Sequence, residues 1–167
     1  MWYILNQKDI VLDNRANNGF WCTLPYPNHK SGCPNYGKKK TCPPFTQSFQ
    51  NIIQGPYFLV IQEFDIQAHS KKMRLKHPHW SEKQCRNLLY WQKGLNKKLK
   101  DKSYELANKM GDDFIVLEIP EANGVDVFKT CQNMNIELQR YPQDMIRKVM
   151  IVGKKYLPKN TLPLVSK

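Results

Sequence analysis

Apolar residues recur at two different periods along this chain, and the changes of period predict where strands give way to helices. Met1–Asn6 (MWYILN) reads as a strand, with Ile10–Leu12 extending it or pairing with it. Phe45–Gln54 places Phe45, Phe49, Ile52 and Ile53 at helical spacing, and Gly55-Pro56 stops the run. Tyr57–Ile66 (YFLVIQEFDI) is rich in β-branched and aromatic residues and predicts a central strand. Ser81 is a good N-cap for a long helix reaching Met110 and closed by Gly111. Along that helix Cys85, Leu88, Leu89, Leu95, Leu99, Leu106 and Met110 form an apolar face. Phe114–Ile119 reads as a second buried strand, Val125–Met134 as a short helix, and Ile136–Arg140 and Ile146–Val152 as two more strands. Alternating strands and helices predict an α/β or α+β fold, with a mixed, partly parallel sheet packed with helices. Nothing in the pattern divides residues 1–167, so a single domain is expected.

Composition adds a localised charge. The 26 basic and 14 acidic residues leave the chain at +12, and ten of the basic residues fall between Lys71 and Lys100 against Glu82 alone. On the predicted helix, Arg86, Tyr90, Lys93, Lys97 and Lys100 lie opposite the apolar face, with Trp91 beside them. Such a segment suits a polyanion, nucleic acid being the commonest, and the plainer reading is a solvated face. No apolar stretch approaches the roughly 20 residues that span a bilayer. Met1–Gln7 lacks the basic-then-apolar order of a signal peptide, so a cytoplasmic protein without a membrane partner is expected.

From Asn14 to Pro44 the chain loses periodicity and becomes rich in Asn, Gly, Pro and Lys, which predicts a long loop. Loops of this length are uncommon unless functional. This one carries three of the five cysteines: Cys22, then Cys33 after ten intervening residues, then Cys42-Pro43-Pro44. An odd number of clustered thiols in a reducing compartment points to a metal rather than to disulfides. Thiolates suit both iron–sulfur clusters and zinc. Zinc needs a fourth ligand, for which His29 or Cys85 is available. Three ligands on a four-iron ([4Fe–4S]) cluster would leave one iron open. Gly32 and Gly37 give the loop freedom to bend, while Lys38, Lys39 and Lys40 offset cluster charge or hold a phosphate. The remaining alternative is three unrelated loop thiols.

The segment WC…GCPNYGKKKTCPP resembles the predicted metal-binding proteins of unknown function of archaea and anaerobic bacteria, which carry a C…GCxxYGxxxxCPP signature. Glu121–Thr130, with Gly124-Val125-Asp126-Val127, is similar to their second hallmark, an EAxGIDVxxT run. The resemblance spans roughly residues 20–152. It implies an α/β fold and a cysteine-bound, iron–sulfur type of centre, with no assigned reaction. Family members generally carry a second cysteine group before the EAxGIDV run. Here the stretch Asn108–Pro120 has none, which implies one centre and weakens an electron-relay role.

Other candidates surround this centre. Cys85 is a fourth ligand or a buried core thiol, and Cys131 reads as core. His77 and His79 are candidate proton donors or phosphate contacts in a basic loop, or plain surface residues. Glu121 is a candidate general acid or base, or a carboxylate serving the start of the following helix. The expected function is an iron–sulfur protein acting on RNA, transfer RNA in particular, or on a nucleotide, with sulfur-type chemistry at an open iron. Tyr90 and Trp91 would stack on bases, which favours RNA over DNA. Two other classes remain open. One is a zinc-stabilised, non-enzymatic nucleic-acid-binding module. The other is a redox or metal-carrier protein docking an acidic partner.

Overall fold

The apolar run Tyr57–Ile61 is buried along its whole length because it lies inside a sheet covered on both faces. In the computed structural model the described residues are 1–13, 15, 19–25 and 29–158. The parts of the predicted loop at 14, 16–18 and 26–28 lie outside them. Strand β1 (Trp2–Leu5) pairs with β2 (Ile53–Asp65). The edge strand β3 (Phe114–Leu117) and the long β4 (Met145–Lys155) complete a four-stranded sheet in the order β1-β2-β4-β3.

Every ladder in this sheet is antiparallel, which corrects the expected partly parallel arrangement within a mixed α/β fold. The reason is topological. β2 and β3 do point the same way and are joined through helices, but β4 inserts between them. Each therefore bonds to an antiparallel neighbour and no parallel ladder forms.

Residues of β2 alternate between two cores, as the two-residue strand period requires. Tyr57, Leu59 and Ile61 join Leu117, Ile151, Val127 and Cys131 on one face. Phe58 and Val60 join Met150, Val152, Leu99 and Leu106 on the other. The helical elements are α1 (Phe20–Thr23), α2 (Phe49–Ile52), α3 (Ile66–Lys76), α4 (Glu82–Cys85), α5 (Gln92–Met110) and α6 (Val127–Asn133). α5 covers the second face with Leu95, Leu99, Leu106 and Ala107. α6 and its flanking connections cover the first.

The expected continuous helix from Ser81 to Met110 is broken. Ser81 does cap α4, through a reciprocal capping box with Gln84. A 3-10 turn at Leu88–Tyr90 follows, capped by the Asn87 side chain, which accepts from Leu89 N–H at 3.1 Å. The break lets Trp91 turn inward. Its ring stacks on Phe64 at 5.1 Å, and its Nε1 donates to the Arg86 carbonyl at 3.2 Å. Leu88 and Leu89, which one continuous helix would bury, face outward instead. α3 has no counterpart in the hydrophobic pattern. It is capped by Asp65, whose side chain accepts from Ala68 N–H at 2.7 Å, and is tied to α4 by Glu82. Ser70 donates to one oxygen of Glu82 at 2.8 Å and Arg74 to the other at 2.7 Å. The predicted helices at Phe45–Gln54 and Val125–Met134 shorten to α2 and α6. Ile136–Arg140 forms no strand: Ile136 and Leu138 pack on the core from an irregular connection. No helix of the described residues is long and apolar enough to cross a membrane.

The break makes a direct prediction. Leu99→Ala, at 2% exposure, should lower the unfolding free energy by about 2–5 kcal/mol in urea denaturation. Leu89→Ala, at 83% exposure, should change it by less than about 0.5 kcal/mol.

Candidate metal centre

The cysteine loop is knitted by its own backbone. Cys22 sits on α1, Cys33 opens a tight turn, and Cys42 ends the next one. Cys33 N–H donates to the Cys22 carbonyl at 2.7 Å, so the first two cysteines are bonded across the ten residues between them. Tyr36 N–H returns to the Cys33 carbonyl at 3.1 Å, and Cys42 N–H returns to the Lys39 carbonyl at 2.9 Å. Gly37 N–H reaches the Pro43 carbonyl at 3.0 Å and closes the last turn. Gly32 is required at φ +86°, because a Cβ there would lie 2.3 Å from the Cys22 carbonyl oxygen. Gly19, at φ +79° before α1, would similarly strike the Tyr36 ring.

These turns make the three thiols electrostatic neighbours. Burial pushes the Cys22 thiol above its ordinary value, and the proximity of Cys33 and Cys42 pushes it further. Cys42 is buried, while Cys22 and Cys33 are half-buried. Among the described residues, no three His, Cys, Asp or Glu side chains converge closely enough to make a ready single-ion site. The donor chemistry still fits a thiolate-bound centre: three soft sulfurs, one on a short helix and two on the turns that follow it.

Both ends of the loop are fastened to one short segment, Pro120–Asp126. On the entry side, Asp126 N–H donates to the Val11 carbonyl at 2.8 Å, and Asp13 N–H donates to the Gly124 carbonyl at 2.8 Å. Leu12 therefore bridges to Val125 rather than extending β1. On the exit side, the Thr46 hydroxyl donates to the Ala122 carbonyl at 2.8 Å, and Asn123 Nδ2 donates to the Gln47 carbonyl at 2.9 Å. The segment is a 3-10 turn, Pro120–Asn123, ending at Gly124 in the left-handed region (φ 91°). The residues that flank the cysteine signature on both sides are thus hydrogen-bonded to the segment that carries the start of the Glu121–Thr130 run. Their distance in sequence hid this relation.

A cleft of about 560 Å³ opens where the loop meets this edge of the sheet. Lys40, Phe45 and Thr46 line it from the loop, Tyr104 from α5, and Glu118 and Asn123 from the segment after β3. Thr41, the residue before Cys42, also borders it. On its wall, Glu118 accepts hydrogen bonds from Lys100 and Tyr104. Burial works to raise the Glu118 carboxyl, and those two hydrogen bonds outweigh it and hold the group low. Tyr104 is raised in return, chiefly by its bond to Glu118.

The other candidates are dispersed. Glu121 is solvent-accessible as a residue, yet surrounding protein desolvates its carboxyl and raises its pKa, with Lys148 opposing. The cap of α6 is Asp126, which accepts from Lys129 N–H at 3.0 Å, so helix capping does not fall to Glu121. Cys85 is fully buried at the end of α4, and Cys131 is fully buried in the main core. Burial, and to a lesser degree Glu121, pushes the Cys131 thiol up to about 12, which leaves it inert. His29 is exposed between the first two cysteines, and Lys38, Lys39 and Lys40 are exposed on the last turns. His77 and His79 occupy the α3–α4 turn, and His77 stacks on Trp80.

Several residues expected to meet nucleic acid are already engaged. Arg86 donates to the carbonyls of Pro142 and Gln143 and anchors the segment leading into β4. Lys97 pairs with Asp101, and Lys100 pairs with Glu118. Tyr90 and Lys93 are exposed, whereas Trp91 is core. The fold and this loop define a mixed α/β protein with an antiparallel sheet and a cysteine loop tethered at both ends. Family models, curated proteins and solved structures give no match to the chain.

Two outcomes test this geometry. Asn123→Ala strips the Gln47 carbonyl of its partner. It should cost about 1–3 kcal/mol of stability and speed proteolysis within residues 29–47. In metal-free protein, iodoacetamide should label Cys22 and Cys33 while sparing Cys85 and Cys131 until the chain unfolds. Because the Cys22 pKa is raised, its labelling rate should keep climbing at pH values above the ordinary thiol range, as read by peptide mass spectrometry.

Proposed function

We propose that this protein is an iron–sulfur protein whose cluster is held by Cys22, Cys33 and Cys42 and acts on RNA, or on a nucleotide, in the adjoining cleft. The observation that carries this reading is the hydrogen-bonded loop that makes the three thiols electrostatic neighbours, with Thr41, next to Cys42, bordering that cleft. The resemblance of the same residues to predicted metal-binding proteins supports it. A single zinc ion requires ligand sulfurs about 3.8 Å apart, from Zn–S bonds of about 2.3 Å. Three loop thiols with no fourth ligand beside them among the described residues leave a zinc ion one ligand short, whereas a cluster can be held by three. Held by Cys22, Cys33 and Cys42 alone, a four-iron cluster would supply an iron able to bind a sulfur or oxygen atom of a base.

The chain's own residues supply the remainder. Lys38, Lys39 and Lys40 offset the negative charge of a thiolate-bound centre and attract phosphate. Phe45 gives the cleft an aromatic wall, and Asn123, held by Gln47, fixes the floor. Burial raises the Glu121 carboxyl above its ordinary value, the direction that a general acid needs.

Protein purified anaerobically should be brown and contain iron and acid-labile sulfide. Because the ligands bind as thiolates, iron retention should fall as pH drops. A colourless protein with stoichiometric zinc would overturn the cluster assignment and point instead to closure of the site by a fourth ligand, for which His29 lies within the loop.

A further inference from the structure

We propose that the α3–α4 hairpin is a stacking platform for unpaired bases of single-stranded nucleic acid, built on the ring column His77–Trp80–Tyr90. This deepens the nucleic-acid part of the reading above and does not depend on the cysteine centre. His77 and Trp80 lie nearly parallel, with centroids 3.9 Å apart and planes 10° apart. Trp80 then meets Tyr90 at 5.3 Å, tilted by 32°. Three aromatic groups from two turns thus form one short stack, and Tyr90 leaves its end in solvent at 51% exposure.

The column is rigidly presented. The Trp80 amide returns to the His77 carbonyl at 3.0 Å, and the Ser81–Gln84 capping box fixes the start of α4. The Tyr90 backbone is fixed by its N–H, which donates to the Asn87 carbonyl at 3.2 Å, and the next residue, Trp91, is buried against Phe64. A preformed stack loses little rotamer freedom when one more ring is added to it.

The surrounding charge selects the ligand. Glu82 is the acid between Lys71 and Lys100 that opposes ten basic residues, and it is consumed by Ser70 and Arg74. Lys71, Lys72, Lys76, Lys83 and Lys93 are exposed, and among the described residues none has a carboxylate at ion-pair distance. An acidic protein surface would satisfy the lysines and make no use of the rings. A single strand uses both, because its phosphates follow the lysines while a base extends the column. A duplex keeps its bases paired and offers none for stacking.

The test is tryptophan-fluorescence titration of the full chain with a short single-stranded RNA, the matching duplex and anionic phospholipid vesicles. Single-strand binding should weaken about tenfold in Tyr90→Ala and survive in Tyr90→Phe. Lys93→Gln should lower the slope of log affinity against log salt by roughly 0.7. Trp80→Phe checks that the column still forms where Trp80→Ala fails to fold. The assay needs no cluster, so it reads out whether or not the cysteine loop holds iron. Equal affinity for duplex, unchanged binding by Tyr90→Ala, or binding to vesicles without binding to RNA would each overturn the proposal.

Discussion

The Pro120–Asp126 segment receives hydrogen bonds from both sides of the cysteine loop, and the candidate centre depends on that double tether. Val11 and Asp13 meet it before the loop, and Thr46 and Gln47 meet it after. Because the segment continues from the end of β3, the loop inherits the position of the sheet. The cleft exists for the same reason: its walls come from the loop, from α5 and from the end of β3. Each tethering bond contributes only about 1 kcal/mol net, while fixing the backbone costs about 1–2 kcal/mol per residue. Among the described residues of the loop, Cys42 and Pro43 are the ones with buried side chains, so burial contributes little there. In the proposed holo-protein, bonds from thiolates to the metal would add to this stabilisation.

Local signals in the sequence were accurate where structure is locally determined. The strand at Tyr57 was legible because a segment buried on both faces must be apolar at every position. The buried stripe Leu95–Leu99–Leu106 kept helical spacing because one helix face covers one sheet face. Gly32 and Gly37 marked turns that they do form, at φ +86° and +66°. The break between α4 and α5 was not legible, because it depends on a tertiary preference. Burying the Trp91 ring against Phe64 outweighs continuing the helix through Leu88 and Leu89. α3 was missed because its apolar residues form no stripe, and a single carboxylate, Glu82, secures it. Strand order was equally beyond periodicity, since inserting β4 between β2 and β3 leaves no local trace.

For the site, the cysteines themselves were legible, but their relation to the Glu121–Thr130 run was not. That relation passes through main-chain carbonyls and through Thr46 and Asn123, residues too ordinary to stand out in a sequence. Charge counted along the chain also overstated the available surface. Arg86 and Lys100 serve as internal fasteners, one to the entry of β4 and one to Glu118 at the cleft. The cationic surface that remains is concentrated on the hairpin, beside an aromatic column that the same count did not separate from the buried Trp91.

The three loop cysteines, and no others, are proposed to hold the centre. Iron and sulfide content of five single Cys→Ser variants, prepared anaerobically alongside the parent protein, tests this most directly. Replacement of Cys22, Cys33 or Cys42 should each strip most of the iron, while replacement of Cys85 or Cys131 should leave the iron bound per folded chain unchanged. Retention of full iron content by any of the three loop variants, or its loss from folded Cys85→Ser protein, would contradict the account.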